Sequence, residues 1–236
     1  MEKTLRLIRE LEKLTTVTNP RGYIGCSVIG HECDRYIWLN KYGKLTYEIP
    51  FRLGRIFERG NLEEERIFSS IKKLSCVELI STQLSFASSI LQGSCDGVIK
   101  DKQGNQYILE LKTINDGNFK RLKKHGLSKS NVTYWSQCQA YMHLAHQTNQ
   151  IENIRLWSPV QGLIFLVVNK NDESMYEEFI EYDPIFGEGL VAKANRIDGL
   201  EEMPDGIFSV EKKPQACFTC SFHKHCYGET DAQTNK

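Results

Sequence analysis

Two segments carry side chains that could do chemistry together: Gly93-Ser94-Cys95-Asp96-Gly97-Val98-Ile99 and Tyr107-Ile108-Leu109-Glu110-Leu111-Lys112-Thr113. A short polar turn separates them, so they read as a β-hairpin. A three-residue loop at Lys102-Gln103-Gly104 puts glycine at the left-handed position such loops require. Asp101 then faces Asn105, and Asp96 falls roughly opposite Glu110; a bulge would shift this by one residue. Strand alternation places Glu110 and Lys112 on one face, with Leu109 and Leu111 turned the other way into a core. Two carboxylates and an amine gathered like this can hold a divalent metal and activate a water against a phosphodiester. The plainer alternative is a surface hairpin with a cross-strand ion pair. Against it, the run around Glu110 is nearly all apolar, as in an interior strand, and a carboxylate there needs a partner or a metal.

The elements that position this hairpin follow from periodicity. Residues 2–14 read as a helix, broken at Asn19-Pro20-Arg21-Gly22. A long helix is expected over about 52–74, three or four strands over about 76–114, and a helix over about 131–148. A buried strand at Gly162–Val168, a looser strand at Met175–Tyr182 and a helix over about 185–198 complete the pattern. This order implies an α/β fold with helices packed on a mixed central sheet. On the long helix, Phe57, Gly60, Glu64, Ile67 or Phe68, and Ile71 share one side. An acid on an apolar stripe is unusual. Glu64 is therefore either paired with an interior base or a third ligand facing Asp96 and Glu110; Glu58 is the alternative if the helix starts differently.

Near the C-terminus, Cys217-Phe218-Thr219-Cys220-Ser221-Phe222-His223-Lys224-His225-Cys226 spells C-x2-C-x5-C. Three thiols so close in a reducing compartment suggest a metal, zinc or an iron–sulfur cluster. Cys33 is the best candidate for a fourth ligand, Cys26 the second, with His223 or His225 as further options. Either metal would staple the first fifth of the chain to its end. Free structural thiols are the alternative. Cys76, Cys95 and Cys138 are isolated and read as core residues.

Composition bounds the rest. The chain has 236 residues, with 30 basic and 30 acidic side chains balancing to a net charge of +0. That balance argues against long non-specific wrapping of nucleic acid but leaves room for a local patch. One candidate is Lys120, Arg121, Lys123, Lys124 and Lys129, with His125 among them, directly after the Lys112 strand. It is either a solvated face or a grip on phosphates. No run of about 18 apolar residues is present, and the charged N-terminus lacks an apolar signal core. A cytoplasmic single domain over 1–226 with a polar tail at 227–236 is expected.

Taken in order, Cys33, Gly60-x3-Glu64, Asp96, Glu110-x-Lys112, Gln137-x3-Tyr141 and C-x2-C-x5-C resemble the PD-(D/E)xK nuclease superfamily. The resemblance is to its RecB-like branch with an iron–sulfur cluster, which includes CRISPR-associated adaptation nucleases, AddB-type helicase–nucleases and phage recombination exonucleases. It covers about residues 23–226, with a catalytic core over about 52–182 and cluster-binding segments over about 23–40 and 210–226. The resemblance implies a restriction-endonuclease-like sheet. It implies that Asp96, Glu110 and the Leu111 carbonyl bind Mg²⁺ or Mn²⁺, that Lys112 orients the attacking water, and that Gln137 and Tyr141 help position DNA and the lysine. Glu64 stands where many relatives have histidine. Cys33, Cys217, Cys220 and Cys226 would hold a [4Fe–4S] cluster, with zinc as the alternative. The implied activity is a metal-dependent DNA exonuclease acting at linear or single-stranded ends in recombination, repair or spacer processing. A structure-specific endonuclease and a catalytically silent DNA-binding module are its rivals. No G-x4-G-K-[ST] motor string occurs, so a helicase, recombinase or annealing protein would be a separate partner. Oligomeric state stays open.

Overall fold

The computed structural model describes residues 7–18, 21–43, 47–147, 160–207, 214–218 and 220–227. In chain order the elements are α1 (Leu7–Glu12), β1 (Thr15–Thr18), β2 (Ile24–Gly25), α2 (Asp34–Tyr42), β3 (Tyr47–Pro50), α3 (Phe51–Ile71), β4 (Val77–Ala87), β5 (Leu91–Asp101) and β6 (Gln106–Ile114). Then follow α4 (Asp116–His125), α5 (Leu127–Ser130), α6 (Val132–Gln147), β7 (Gly162–Asn169), β8 (Met175–Ile180), α7 (Pro184–Asp198), α8 (Gln215–Phe218) and α9 (His223–Tyr227). The start of the expected first helix, the Asn19-Pro20 break, residues 210–213 and the tail beyond Tyr227 lie outside the described residues.

Six strands form one mixed sheet in the order β2-β5-β6-β7-β8, with β4 also on β5. β4, β5 and β6 run antiparallel through short turns, whereas β6 and β7 are parallel. A parallel pair needs a long crossover, and α4, α5 and α6 supply it. Caps punctuate that crossover. Asn115 accepts the Asn118 amide at 2.9 Å, and Asn131 accepts the Tyr134 amide at 3.0 Å. Asp116 opens α4 while Lys123, Lys124 and His125 close it, which complements the helix dipole. The sheet is mixed and flanked by helices, as the sequence pattern implies.

The sheet is buried on both faces. On one side α6 lies against a large core that includes Phe86, Val98, Ile108, Phe165 and Met142. On the other, α3 packs Phe68 over Ile99 and Leu109. Phe57 does not belong to that seam; it is 51% exposed, and the inward stripe of α3 runs through Ile56 and Gly60, about 60–100° round the helix from Phe57. Cys95 and Cys138 are core residues, but Cys76 is exposed. Among the described residues no helix is long and apolar enough to cross a membrane.

Candidate active site

The β5–β6 hairpin has the register its loop demands. Gly104 sits at φ +88°, the Asp101 amide donates to the Asn105 carbonyl, and Lys100, Ile99, Val98 and Gly97 pair in turn with Gln106, Tyr107, Ile108 and Leu109. The backbone ladder ends there, one residue short of Asp96 and Glu110. The Leu111 amide donates to the Asp96 carboxylate at 2.7 Å instead of to a strand carbonyl. Cys95 and Val98, three residues apart, both face the larger core, so the alternation of β5 slips at Asp96. A side chain thus replaces the neighbouring strand as acceptor at the point where the strands part.

Lys112 gathers the acids. Its ammonium donates to Glu110 Oε1 and to the Leu111 carbonyl at 3.2 Å, and lies 3.9 Å from Asp96 Oδ2. It also sits 5.7 Å from the centre of the Tyr134 ring. Glu110 is 1% exposed, and its second oxygen, Oε2, is buried with no hydrogen-bond partner among the described residues. Burial pushes the Glu110 carboxyl up to about 7; Lys112 opposes the shift and Asp96 reinforces it. Burial also works against the Lys112 charge, but Glu110 and Asp96 overcome it and hold the ammonium above its ordinary value.

Glu64 completes the group from α3. It is half-buried, and burial followed by repulsion from Asp96 raises its carboxyl above the usual range. Glu58 is exposed and takes no part. Glu64 is held by Gln83, whose amide donates at 2.5 Å. Gln83 lies on β4 between the pairs Thr82↔Gly97 and Leu84↔Cys95, beside Asp96, at φ +53°. A glutamine in the left-handed region is strained. No spacing marks such a residue; only the register of β4 on β5 reveals it. An orphaned carboxylate oxygen near Asp96, which itself lies near Glu64, suits a divalent cation. Among the described residues, no three histidine, cysteine, aspartate or glutamate side chains close to metal-binding separation.

Gln137 and Tyr141 lie behind the hairpin on α6, 7% and 2% exposed. The Gln137 amide donates to the Tyr141 hydroxyl at 2.8 Å, and that hydroxyl donates to the Ser94 carbonyl at 2.6 Å. They brace β5 two residues before Asp96. Lys120, Arg121, Lys123 and Lys124 are exposed on α4, with Lys120 paired to Asp116 at 2.8 Å.

Cys33, Cys217, Cys220 and Cys226 all line one recess, joined by His31 and His223. The four thiols are free. Burial pushes the Cys220 thiol up to about 11, and the charges of Cys226, Cys217 and Cys33 add to the shift. Arg35 reaches the Cys226 sulfur at 4.0 Å and ties the recess to the Pro204 carbonyl at 2.8 Å. Cys26 is elsewhere, buried against Gly93 and influenced by Glu110.

The profile of the PD-(D/E)XK nuclease superfamily matches residues 48–227. No curated protein matches the chain. Among solved structures, the fold is similar to an alkaline exonuclease (LHK-Exo) from Laribacter hongkongensis, with a TM-score of 0.52 at 14% identity over 75% of this chain and 87% of that one. The same enzyme in complex with dAMP gives a TM-score of 0.53 at 13% identity, covering 75% and 86%. The structure of SSO0001 covers 92% of this chain and 89% of its own, at 16% identity and a TM-score of 0.49. With the profile spanning the long helix, the hairpin and the cysteine segment, the chain belongs to the PD-(D/E)XK nuclease superfamily.

Proposed function

We propose that the chain is a metal-dependent DNA exonuclease that hydrolyses phosphodiester bonds at DNA ends during recombination, repair or spacer processing. The observation that carries this reading is the orphaned Glu110 Oε2, buried near Asp96 and Lys112, which in turn both act on Glu64. Asp96, Glu110, Glu64 and the Leu111 carbonyl would hold Mg²⁺ or Mn²⁺. A bound cation supplies Lewis-acid activation of the phosphate and a more acidic water. Lys112 orients that water and offsets charge as the bond breaks. Gln137 and Tyr141 fix the β5 segment that presents Asp96. Lys120, Lys123 and Lys124 would meet the DNA backbone, with Arg121 contacting the DNA beside them. The named exonuclease activity of the structural neighbour is consistent with attack at ends.

Cys33, Cys217, Cys220 and Cys226 would ligate a [4Fe–4S] cluster, with zinc as the alternative. Four thiolates suit either, and a cluster accepts ligands set wider apart than a single ion does. Its role is to hold residues 23–40 to the C-terminal segment, contributing folding free energy rather than chemistry.

End-labelled linear DNA and closed-circular DNA, each with Mn²⁺, test the activity. The parent protein degrades the linear substrate from an end and spares the circle, and Asp96→Asn cuts neither substrate. Cutting of the circle would replace the exonuclease with an endonuclease, and equal activity of Asp96→Asn would remove the site.

A further inference from the structure

Beside the acidic site lies a second recess of about 370 Å³ of empty space open to solvent. Ile114, Leu127 and Phe165 form its apolar floor, with Arg121, Asn131 and Tyr134 at the rim. It belongs to the same surface as Lys112. Ile114 is two residues further along β6 on the same face, a rise of about 7 Å. Tyr134 separates the two: Lys112 lies 5.7 Å from its ring centre, and Phe165 packs 6.1 Å from it on the recess side. Arg121 is exposed, and among the described residues its guanidinium has no hydrogen bond or ion pair.

We propose that this recess receives one unstacked base of the DNA strand, next to the phosphate held at Lys112. The inference rests on the nuclease reading and adds where the strand lies. The lining selects the occupant. A lone phosphate would leave the apolar floor unused, and a purely apolar group would leave Arg121 unmatched. A flat heteroaromatic ring with a polar edge satisfies both, by stacking near Tyr134 and meeting a cation at the rim. The exposed Lys123 and Lys124 on the same helix match the charge of the adjoining backbone. A base paired in a duplex cannot enter a pocket without leaving the stack. The recess therefore makes the protein prefer single-stranded or frayed ends, and it tolerates any base because every base has a π-face.

The test uses single-stranded oligonucleotides carrying 2-aminopurine at successive positions, bound to full-length Asp96→Asn protein with Mg²⁺ present. The emission should change at one position only, and a paired duplex of the same sequence should not show it. Adding Arg121→Ala, at an exposed position that leaves packing alone, should abolish that signal and weaken single-strand binding about tenfold. Unchanged emission at every position, a signal that survives Arg121→Ala, or an equal signal from the duplex would overturn the proposal. Cleavage of end-labelled DNA by the parent is scored separately, so a protein that does not cut and a recess that takes no base are told apart.

Discussion

Glu110 is in electrostatic conflict with its surroundings. It is buried on an interior strand, one oxygen is on Lys112 and the other has no partner among the described residues. Its carboxyl titrates near 7 rather than 4.5, so between those values the folded chain keeps a proton that the unfolded chain has lost. That contribution to stability is present below the ordinary carboxylate range and is lost as pH rises through about 7. Cation binding needs the ionised form. Mn²⁺ affinity, followed by titration calorimetry, should fall by up to about tenfold per pH unit below 7 and level off above it; affinity flat from pH 5.5 to 8.5 would count against Glu110 as a ligand. Gln83 gives a second residue-scale prediction. Gln83→Gly relieves the left-handed backbone but releases Glu64, so stability should stay within about 1 kcal/mol in urea unfolding while Mn²⁺ binds more weakly. The hairpin register, as far as Gly97 opposite Leu109, was legible in the sequence because Gly104 fixes the loop and the loop fixes the register. Gln83 was not, because a non-glycine residue with positive φ has no signature of its own.

At the scale of elements, α6 and β5 depend on each other. The Tyr141 hydroxyl satisfies the Ser94 carbonyl at the start of the segment that presents Asp96, and the Tyr141 ring packs 5.9 Å from Phe86. Tyr141→Phe keeps the ring and orphans both the carbonyl and Gln137. It should cost about 1–3 kcal/mol in urea unfolding, with a fall in cleavage rate at equal folded concentration; unchanged stability would mean that α6 does not brace the hairpin. The long periodic elements were readable, and α3, α6, β7 and α7 came out close to their expected ranges. The short ones were not. β2 has two residues and α5 four, too few for a period to register. Phe57 shows the finer limit: one residue's rotation moves a side chain from seam to solvent, and apolar spacing alone does not fix that rotation.

At the scale of the whole molecule, the cysteine recess joins the start of the chain to its end. Cys33 precedes α2, whereas Cys217, Cys220 and Cys226 lie on the short α8 and α9 segments and the turn between them. Helices of four and five residues do not hold themselves together in water, so the metal group proposed for the recess has a measurable consequence for stability. Protein purified without oxygen should be brown, and Cys220→Ala should lose the colour and several degrees of melting temperature while retained active sites still cut. Colourless parent protein with stoichiometric zinc would assign the recess to zinc. The C-x2-C-x5-C spacing and the preference for Cys33 over Cys26 were both visible in the sequence; the fold adds where each lies, Cys33 lining the recess and Cys26 buried near Gly93.

The proposed activity requires acids from β5, β6 and α3 to share one cation beside Lys112. Counting Mn²⁺ bound per chain by electron paramagnetic resonance addresses that directly. The parent should bind a cation that both Asp96→Asn and Glu110→Gln fail to hold, with the folded spectrum of each variant intact. Equal Mn²⁺ binding by parent and variants would contradict it.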